Sequence, residues 1–254
     1  QEHTAFWTHA KAITTNGFGY DNIGATSSRP YGGTGSTYDD MSLASVMANA
    51  SYTLYNKYRL TLTMRGDGSS MVGDDHTWGF FPSVSAEWDV KKEKFLRSFD
   101  GISTLKLRTG YGRSGNLGGI TAYTTMDNVQ QTGIVPVNNT PTVTLGTIRN
   151  NNPDLKWETT ISRNLGIDYG FLDGRVNGAV ELYWNTTKDL LMAVPVDNTT
   201  GYSYQYQNFG RTSNKGVELS LNAVLVDNSD WHLDINALYN YNRNNLDELS
   251  NADQ

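Results

Sequence analysis

The residues of this chain that could do chemistry are few, and most of them lie along alternating, strand-like runs. Gly110-Tyr111-Gly112-Arg113-Ser114-Gly115 has the glycine spacing that lets a backbone close on a pyrophosphate. That use needs a helix next, and Asn116-Leu117-Gly118-Gly119 makes a poor first turn, so no dinucleotide site is expected. Arg65-Gly66-Asp67 spells an adhesion tripeptide but ends a strand-like run. His3, His9, His76 and His232 share no metal-ligand spacing, and Asp74-Asp75-His76 reads as a solvated acidic loop. Glu87 and Asp89 share one strand face, as do Asp168 and Glu181 on neighbouring strands. A glycosidase would hold two such carboxyls about 5 to 10 Å apart across a sugar. The pattern here reads instead as charges lining a polar wall, with Glu181 and Arg175 in one network. No catalytic set, metal or cofactor is expected. Tyr123, Tyr202, Tyr204 and Tyr206, in long connections, are the candidate ligand contacts, because sugar and peptide faces stack on flat rings and loops carry function on rigid scaffolds. Loop folding without any ligand explains these tyrosines as well.

Composition bounds the rest. Among 254 residues there are 20 Lys+Arg against 26 Asp+Glu, a net charge of -6, no Cys and 25 Gly. The missing cysteines remove disulfide scaffolds, thiol catalysis and cysteine-held zinc. An acidic chain lacks the clustered cations that nucleic acid requires, so no nucleic-acid partner is expected. No run approaches the roughly 18 apolar residues of a membrane-spanning helix.

Period-two alternation, the mark of a strand with two unlike faces, occurs eight times. Ala44, Val46, Ala48, Ala50, Tyr52 and Leu54 oppose Ser45, Asn49, Ser51 and Thr53, and a turn at Asn56-Lys57 leads to Tyr58, Leu60, Leu62 and Met64 opposing Arg59, Thr61, Thr63 and Arg65. Similar runs cover about 80–90, 104–112, 161–171, 176–185, 217–225 and 231–242, with a further turn at Asp173-Gly174. These runs reach 9 to 13 residues, whereas strands of soluble sheets average about 5 or 6. An 11-residue strand tilted by about 45° covers roughly 25 Å, the height of the apolar band on an outer-membrane barrel.

Connections alternate as well. Short ones at 56–57, 91–103, 172–174 and 227–230 interleave with long ones at 69–78, 114–157 and 187–214. Short periplasmic turns and long extracellular loops produce that order in an up-and-down transmembrane barrel. The expected fold is therefore all-β: about eight antiparallel transmembrane strands, apolar face to lipid and polar face to the lumen. Residues 1–43 form an extracellular loop region, 44–243 the barrel strands with their loops, and 244–254 the start of a further loop. Trp78, Trp157, Trp184, Trp231 and Tyr58 are candidates for interfacial aromatic girdles. The competing architecture is a secreted, non-catalytic carbohydrate-binding β-sandwich, whose alternating faces would pack a core.

Five segments in order resemble the SusC/RagA type of TonB-dependent outer-membrane transporter. They are Tyr58–Ser70, ending in Arg65-Gly66-Asp67-Gly68-Ser69-Ser70; Trp78-Gly79-Phe80-Phe81-Pro82-Ser83; Leu105–Arg108 with Tyr111-Gly112 and Gly115-Asn116; Asn152-Pro153-Asp154-Leu155-Lys156-Trp157-Glu158; and Asn214-Lys215-Gly216-Val217-Glu218. The resemblance spans roughly residues 50 to 243. It implies a piece of the later half of a 22-stranded barrel in the bacterial outer membrane, without the family's plug domain in this chain. It further implies uptake of oligosaccharides or peptides, a SusD-like surface lipoprotein at the mouth, and energy from a TonB complex.

Overall fold

The computed structural model describes residues 2–7, 11–13, 26–28, 35–126, 129–137, 140–147 and 149–249. Eight long strands form one antiparallel sheet in chain order: β1 (Leu43–Leu54), β2 (Tyr58–Ser69), β3 (Trp78–Asp89), β4 (Ile102–Asn116), β5 (Glu158–Phe171), β6 (Val176–Lys188), β7 (Arg211–Asp227) and β8 (His232–Glu248). A β-sandwich would need a second sheet packed on this one. The other sheets among the described residues are small two-stranded hairpins in the 2–40 region and within the long loops. Two of these pairings, Glu2–Trp7 with Gly35–Asp40 and Lys11–Ile13 with Thr26–Ser28, give local structure to a stretch expected as loop. Residues 1, 8–10, 14–25, 29–34 and 250–254 of the expected loop regions lie outside the described residues.

Register carries the alternation across the whole sheet. One lateral row of side chains runs Leu62, Val84, Tyr111, and a second runs Leu107, Ile167, Val180, Leu219, Tyr239. None of these positions is buried: Leu62 is 43% and Tyr239 59% accessible, values a sandwich core would not tolerate. The apolar face is therefore the one that meets lipid. The other face pairs Ser51 with Thr61 and Asn49 with Thr63 through side-chain hydrogen bonds of 3.1 and 2.7 Å.

The short turns also fix the tilt. Tyr58, Trp88, Leu107 and Ile167 lie in one row, yet β5 ends four positions further, at Phe171. Val176 faces Ala223, and β7 ends four positions beyond that, at Asp227. With the three hairpin turns at one membrane level, a drift of about 27 Å along the strands accompanies about 29 Å across six of them, a tilt near 43°. That lies within the range of about 35 to 45° for transmembrane barrels.

Strands outlast the apolar alternation on the loop side. β7 begins at Arg211 rather than near 217, and β8 runs to Glu248, so 244–248, expected to open a loop, belong to a strand. Alternation ends where the chain leaves hydrocarbon, whereas backbone pairing continues into water. Both early hairpin turns sit one residue before their expected positions. Tyr55 and Asn56 (φ 51° and 59°) and Leu172 and Asp173 (φ 52° and 54°) hold the left-handed centres, closed by hydrogen bonds from the Lys57 N–H to the Leu54 carbonyl (3.0 Å) and from the Gly174 N–H to the Phe171 carbonyl (3.1 Å).

The longer periplasmic connection, residues 90–101, is latched by Glu93. Its carboxylate accepts from Tyr58 Oη (2.6 Å), Lys57 Nζ (2.9 Å) and Trp88 Nε1 (3.2 Å). The Tyr58 hydroxyl first, then Lys57, holds this carboxyl at about 2, below an ordinary value of 4.5. A depressed carboxylate pKa stabilises the folded turn above the ordinary value, and that contribution fades as pH falls toward the folded one. In the full-length protein, hydrogen-exchange protection of residues 91–99 is expected to persist as pH falls to about 4.5 and to decline toward pH 2. Glu93→Gln is expected to lower protection at neutral pH and to remove this pH dependence. Unchanged protection in that variant would contradict the latch.

Candidate functional site

The polar face of the sheet is an organised wall. On neighbouring strands, Glu87 lies between Arg59 (3.9 Å) and Lys106 (3.6 Å). Arg108 grips both oxygens of Asp168 at 2.9 Å and reaches Glu181 at 3.5 Å, while Asn164 donates to Glu181 at 3.1 Å. The two carboxylates singled out from sequence, Asp168 and Glu181, thus meet through one guanidinium. Arg175 is not part of this network. It donates to the carbonyls of Val224 and Leu225 beside a periplasmic turn.

Above the wall, the long loops build the buried core that the sheet itself lacks. Met71, Val72, Ile120, Leu155 and Leu191 come from three separate connections and pack together, with Leu155 fully buried. Gly73 donates its N–H to the Leu155 carbonyl (2.8 Å), and a Cβ on Gly73 would strike the Pro153 carbonyl, so only glycine fits this crossing. The Asn152-Pro153-Asp154-Leu155 segment is therefore a clasp between loops. Asn152 Nδ2 donates to the Tyr206 carbonyl (2.8 Å), and the Lys156 N–H donates to Asn208 Oδ1 (2.9 Å).

Between this clasp and the upper ends of β1 to β4 lies a cavity of about 950 Å³, lined among others by Met47, Arg65, Asp67, Phe81, Ile120 and Trp157. Pairing of β3 with β4 stops at Ser83 and Gly112, and in the space above it the Phe81 ring reaches the position a Cβ on Gly115 would fill. Phe81 meets Trp157 edge-on at 5.6 Å, and Arg65 Nε binds both oxygens of Asp67 at 2.9 and 2.8 Å. Aromatic edges beside an ion pair suit a ligand with apolar faces and hydroxyl or amide groups. Trp157, expected in an interfacial girdle, belongs to this mouth, where its indole donates to the Thr77 carbonyl (3.3 Å).

The four candidate tyrosines separate. Tyr204 and Tyr206 meet edge-on at 5.9 Å on the strand Tyr204–Asn208, and Tyr206 packs against the loop core. Tyr202 follows the left-handed Gly201 near the loop tip. Tyr123 ties loops together: its hydroxyl accepts from the Asp40 N–H (3.1 Å) and its carbonyl from Arg149 (2.8 Å). Met47 and Phe81 were missed, although each interrupts the polar register of its strand with an apolar residue, a signal open to reading. Among the described residues no cluster of His, Asp or Glu could hold a metal.

Residues 2–254 match the family described as TonB dependent receptor-like, beta-barrel. The chain belongs to this family. It is 37% identical over 215 residues to the TonB-dependent receptor SusC of Bacteroides thetaiotaomicron, covering 83% of this chain and 21% of SusC. To TonB-dependent receptor P26 of Formosa agariphila it is 34% identical over 255 residues, 96% of this chain and 24% of that protein. Among solved structures, the RagAB peptide importer in its closed-closed state superposes with a TM-score of 0.77 at 29% identity, over 85% of this chain and 23% of that one. The chain thus spans about a quarter of the length of these relatives, as a stretch of SusC/RagA-type outer-membrane barrel.

As part of this barrel's inner wall, the Arg108 fork is half-buried, which limits its strength. A double-mutant cycle with Arg108→Gln and Asp168→Asn, read by urea unfolding of the full-length protein in vesicles, is expected to give a coupling of about 1 kcal/mol. Coupling indistinguishable from zero would reduce the fork to a crystallographic-style proximity without energetic content.

Proposed function

We propose that this chain forms the inner wall and part of the mouth of an outer-membrane importer for oligosaccharides or peptides. A SusD-like lipoprotein covers the mouth, and a TonB complex supplies the energy through parts of the protein outside this chain. The role of the chain is binding and passage, without catalysis. One observation carries this reading. The cavity beneath the loop clasp, with Phe81, Trp157 and the Arg65–Asp67 pair, lies on the same face of the sheet as the hydrogen-bonding wall of Asn, Ser, Thr and paired charges. A ligand released from the mouth therefore meets a continuous polar surface along β1 to β7. The relatives support the same reading, since SusC is a TonB-dependent receptor and RagAB a peptide importer.

Within this reading Tyr202 and Tyr204 are the ligand-facing tyrosines, Tyr206 supports Tyr204 from the loop core, and Tyr123 holds the mouth in shape. The test is uptake by the full-length protein in cells lacking their own copy, offered labelled neutral oligosaccharides and labelled oligopeptides in parallel. Uptake of one class is expected to require an intact TonB complex. Changing Tyr202, Tyr204 and Tyr206 together to Ala is expected to raise the half-saturating concentration about tenfold, the cost of losing one or two stacked rings. Wild-type uptake by that triple variant would remove the tyrosines from the site. TonB-independent uptake would overturn the importer reading itself.

A further inference from the structure

Charge is distributed unevenly over the lipid-facing side of the sheet. Along β1, β2 and β3 every residue in the apolar register is uncharged, from Ala44 to Leu54, Tyr58 to Gly68 and Trp78 to Trp88. On β5 to β8 the same face carries Arg211, paired with Glu248, and four further cations, Arg163, Lys188, Lys215 and Arg243. Arg163 lies opposite Trp184, Trp184 opposite Lys215, and Lys215 opposite Arg243, so three cations and an indole form one lateral row. The Arg163 guanidinium stands 5.9 Å from the centre of the Tyr111 ring, which fixes it on the lipid side. Arg113 of β4 lies where β4 parts from β3 and lines the mouth cavity, so it is not part of this row.

Among the described residues no ion pair involves these four cations. The acids nearest to them on β8 are already engaged: Asp247 accepts from Ser213 (2.9 Å), and Glu248 pairs with Arg211 (2.9 Å). Like charges directly opposite on neighbouring strands repel, as Lys215 and Arg243 must. With the tilt derived from the hairpin turns, each residue adds about 2.4 Å of height. The four cations lie eight to twelve residues from their periplasmic turns, or about 19 to 29 Å above them. Lys188, Lys215 and Arg243 thus lie at the upper border of an apolar band about 25 Å tall and Arg163 about 6 Å below it, beside the interfacial aromatics Tyr111, Trp184 and Tyr241.

We propose that the upper outer face of β5 to β8 binds the phosphate groups of a phosphorylated lipid of the outer leaflet. Unpaired cations at headgroup depth, next to aromatic rings, complement an anion whose acyl chains lie on the apolar rows below. Its absence from β1 to β3 makes the surface a site rather than a general interfacial belt.

The test uses the full-length protein in detergent micelles, with retained lipid read by native mass spectrometry. The probes are diphosphoryl lipid A, the same lipid after enzymatic removal of its phosphates, and inorganic phosphate as competitor. Wild type is expected to retain the phosphorylated lipid at least about tenfold more tightly than the dephosphorylated one, and millimolar inorganic phosphate is expected to leave it bound. Lys215→Gln with Arg243→Gln is expected to lower retention by about tenfold, while Lys215→Arg with Arg243→Lys, and Lys94→Gln in the periplasmic connection, keep it. Equal retention of the two lipids by wild type, which needs no variant to fold, would overturn the proposal. Displacement by inorganic phosphate would overturn it as well, by showing a phosphate site without a lipid.

Discussion

Hydrocarbon offers no hydrogen-bond partner to a peptide group, and the rest of this structure follows from that constraint. Each backbone N–H and C=O within the membrane must be satisfied by the neighbouring strand. Long strands, each paired with its neighbours in one antiparallel sheet, are the solution seen from β1 to β8. Pairing in turn fixes register, and register places every second side chain on one face. Among the described residues the outer edges of β1 and β8 are unpaired, which accords with a sequence spanning about a quarter of its relatives.

The consequence is a protein whose buried core is not in its sheet. Most large apolar residues on the strands face outward, whereas the buried cluster of Met71, Val72, Ile120, Leu155 and Leu191 comes from loops that cross above the wall. Leu155 and Gly73 therefore do for the mouth what core residues do for a soluble domain: they fix the walls of a cavity. Positioning of Phe81, Trp157 and the Arg65–Asp67 pair depends on that clasp, while the charged ladder below depends only on strand register. A change in a loop and a change in a strand should thus alter different stages of passage.

Much of this was legible in the sequence. Alternation located all eight strands, since lipid and lumen demand opposite chemistry at successive residues, and the order of short and long connections identified the two ends of the wall. Strand limits on the loop side were less legible, because Arg211 to Gly216 and Asn244 to Glu248 remain paired after alternation has ceased to matter. Loop contacts were hardest. The clasp of Leu155 with Met71, Ile120 and Leu191 joins residues up to 120 positions apart, and no local period encodes such a meeting. Trp157 was misplaced for that reason, and Arg175 because its position beside a turn let it reach backbone carbonyls instead of Glu181. Met47 and Phe81 mark the opposite case: apolar residues in the polar register were visible, and they line the mouth.

The most direct test of the two-faced wall is a cysteine scan of β2 and β6, which this cysteine-free chain permits without background from its own residues. Nitroxides would be attached singly at positions 59–64 and 178–184 of the full-length protein in bilayers, and their collision rates with oxygen and with a water-soluble nickel chelate measured. The account predicts oxygen accessibility maximal at Leu60, Leu62, Val180 and Leu182, and nickel accessibility maximal at Thr61, Thr63, Glu181 and Tyr183, with a period of two and opposite phase. Two accessibilities that rise and fall together, or that show no period of two, would contradict it.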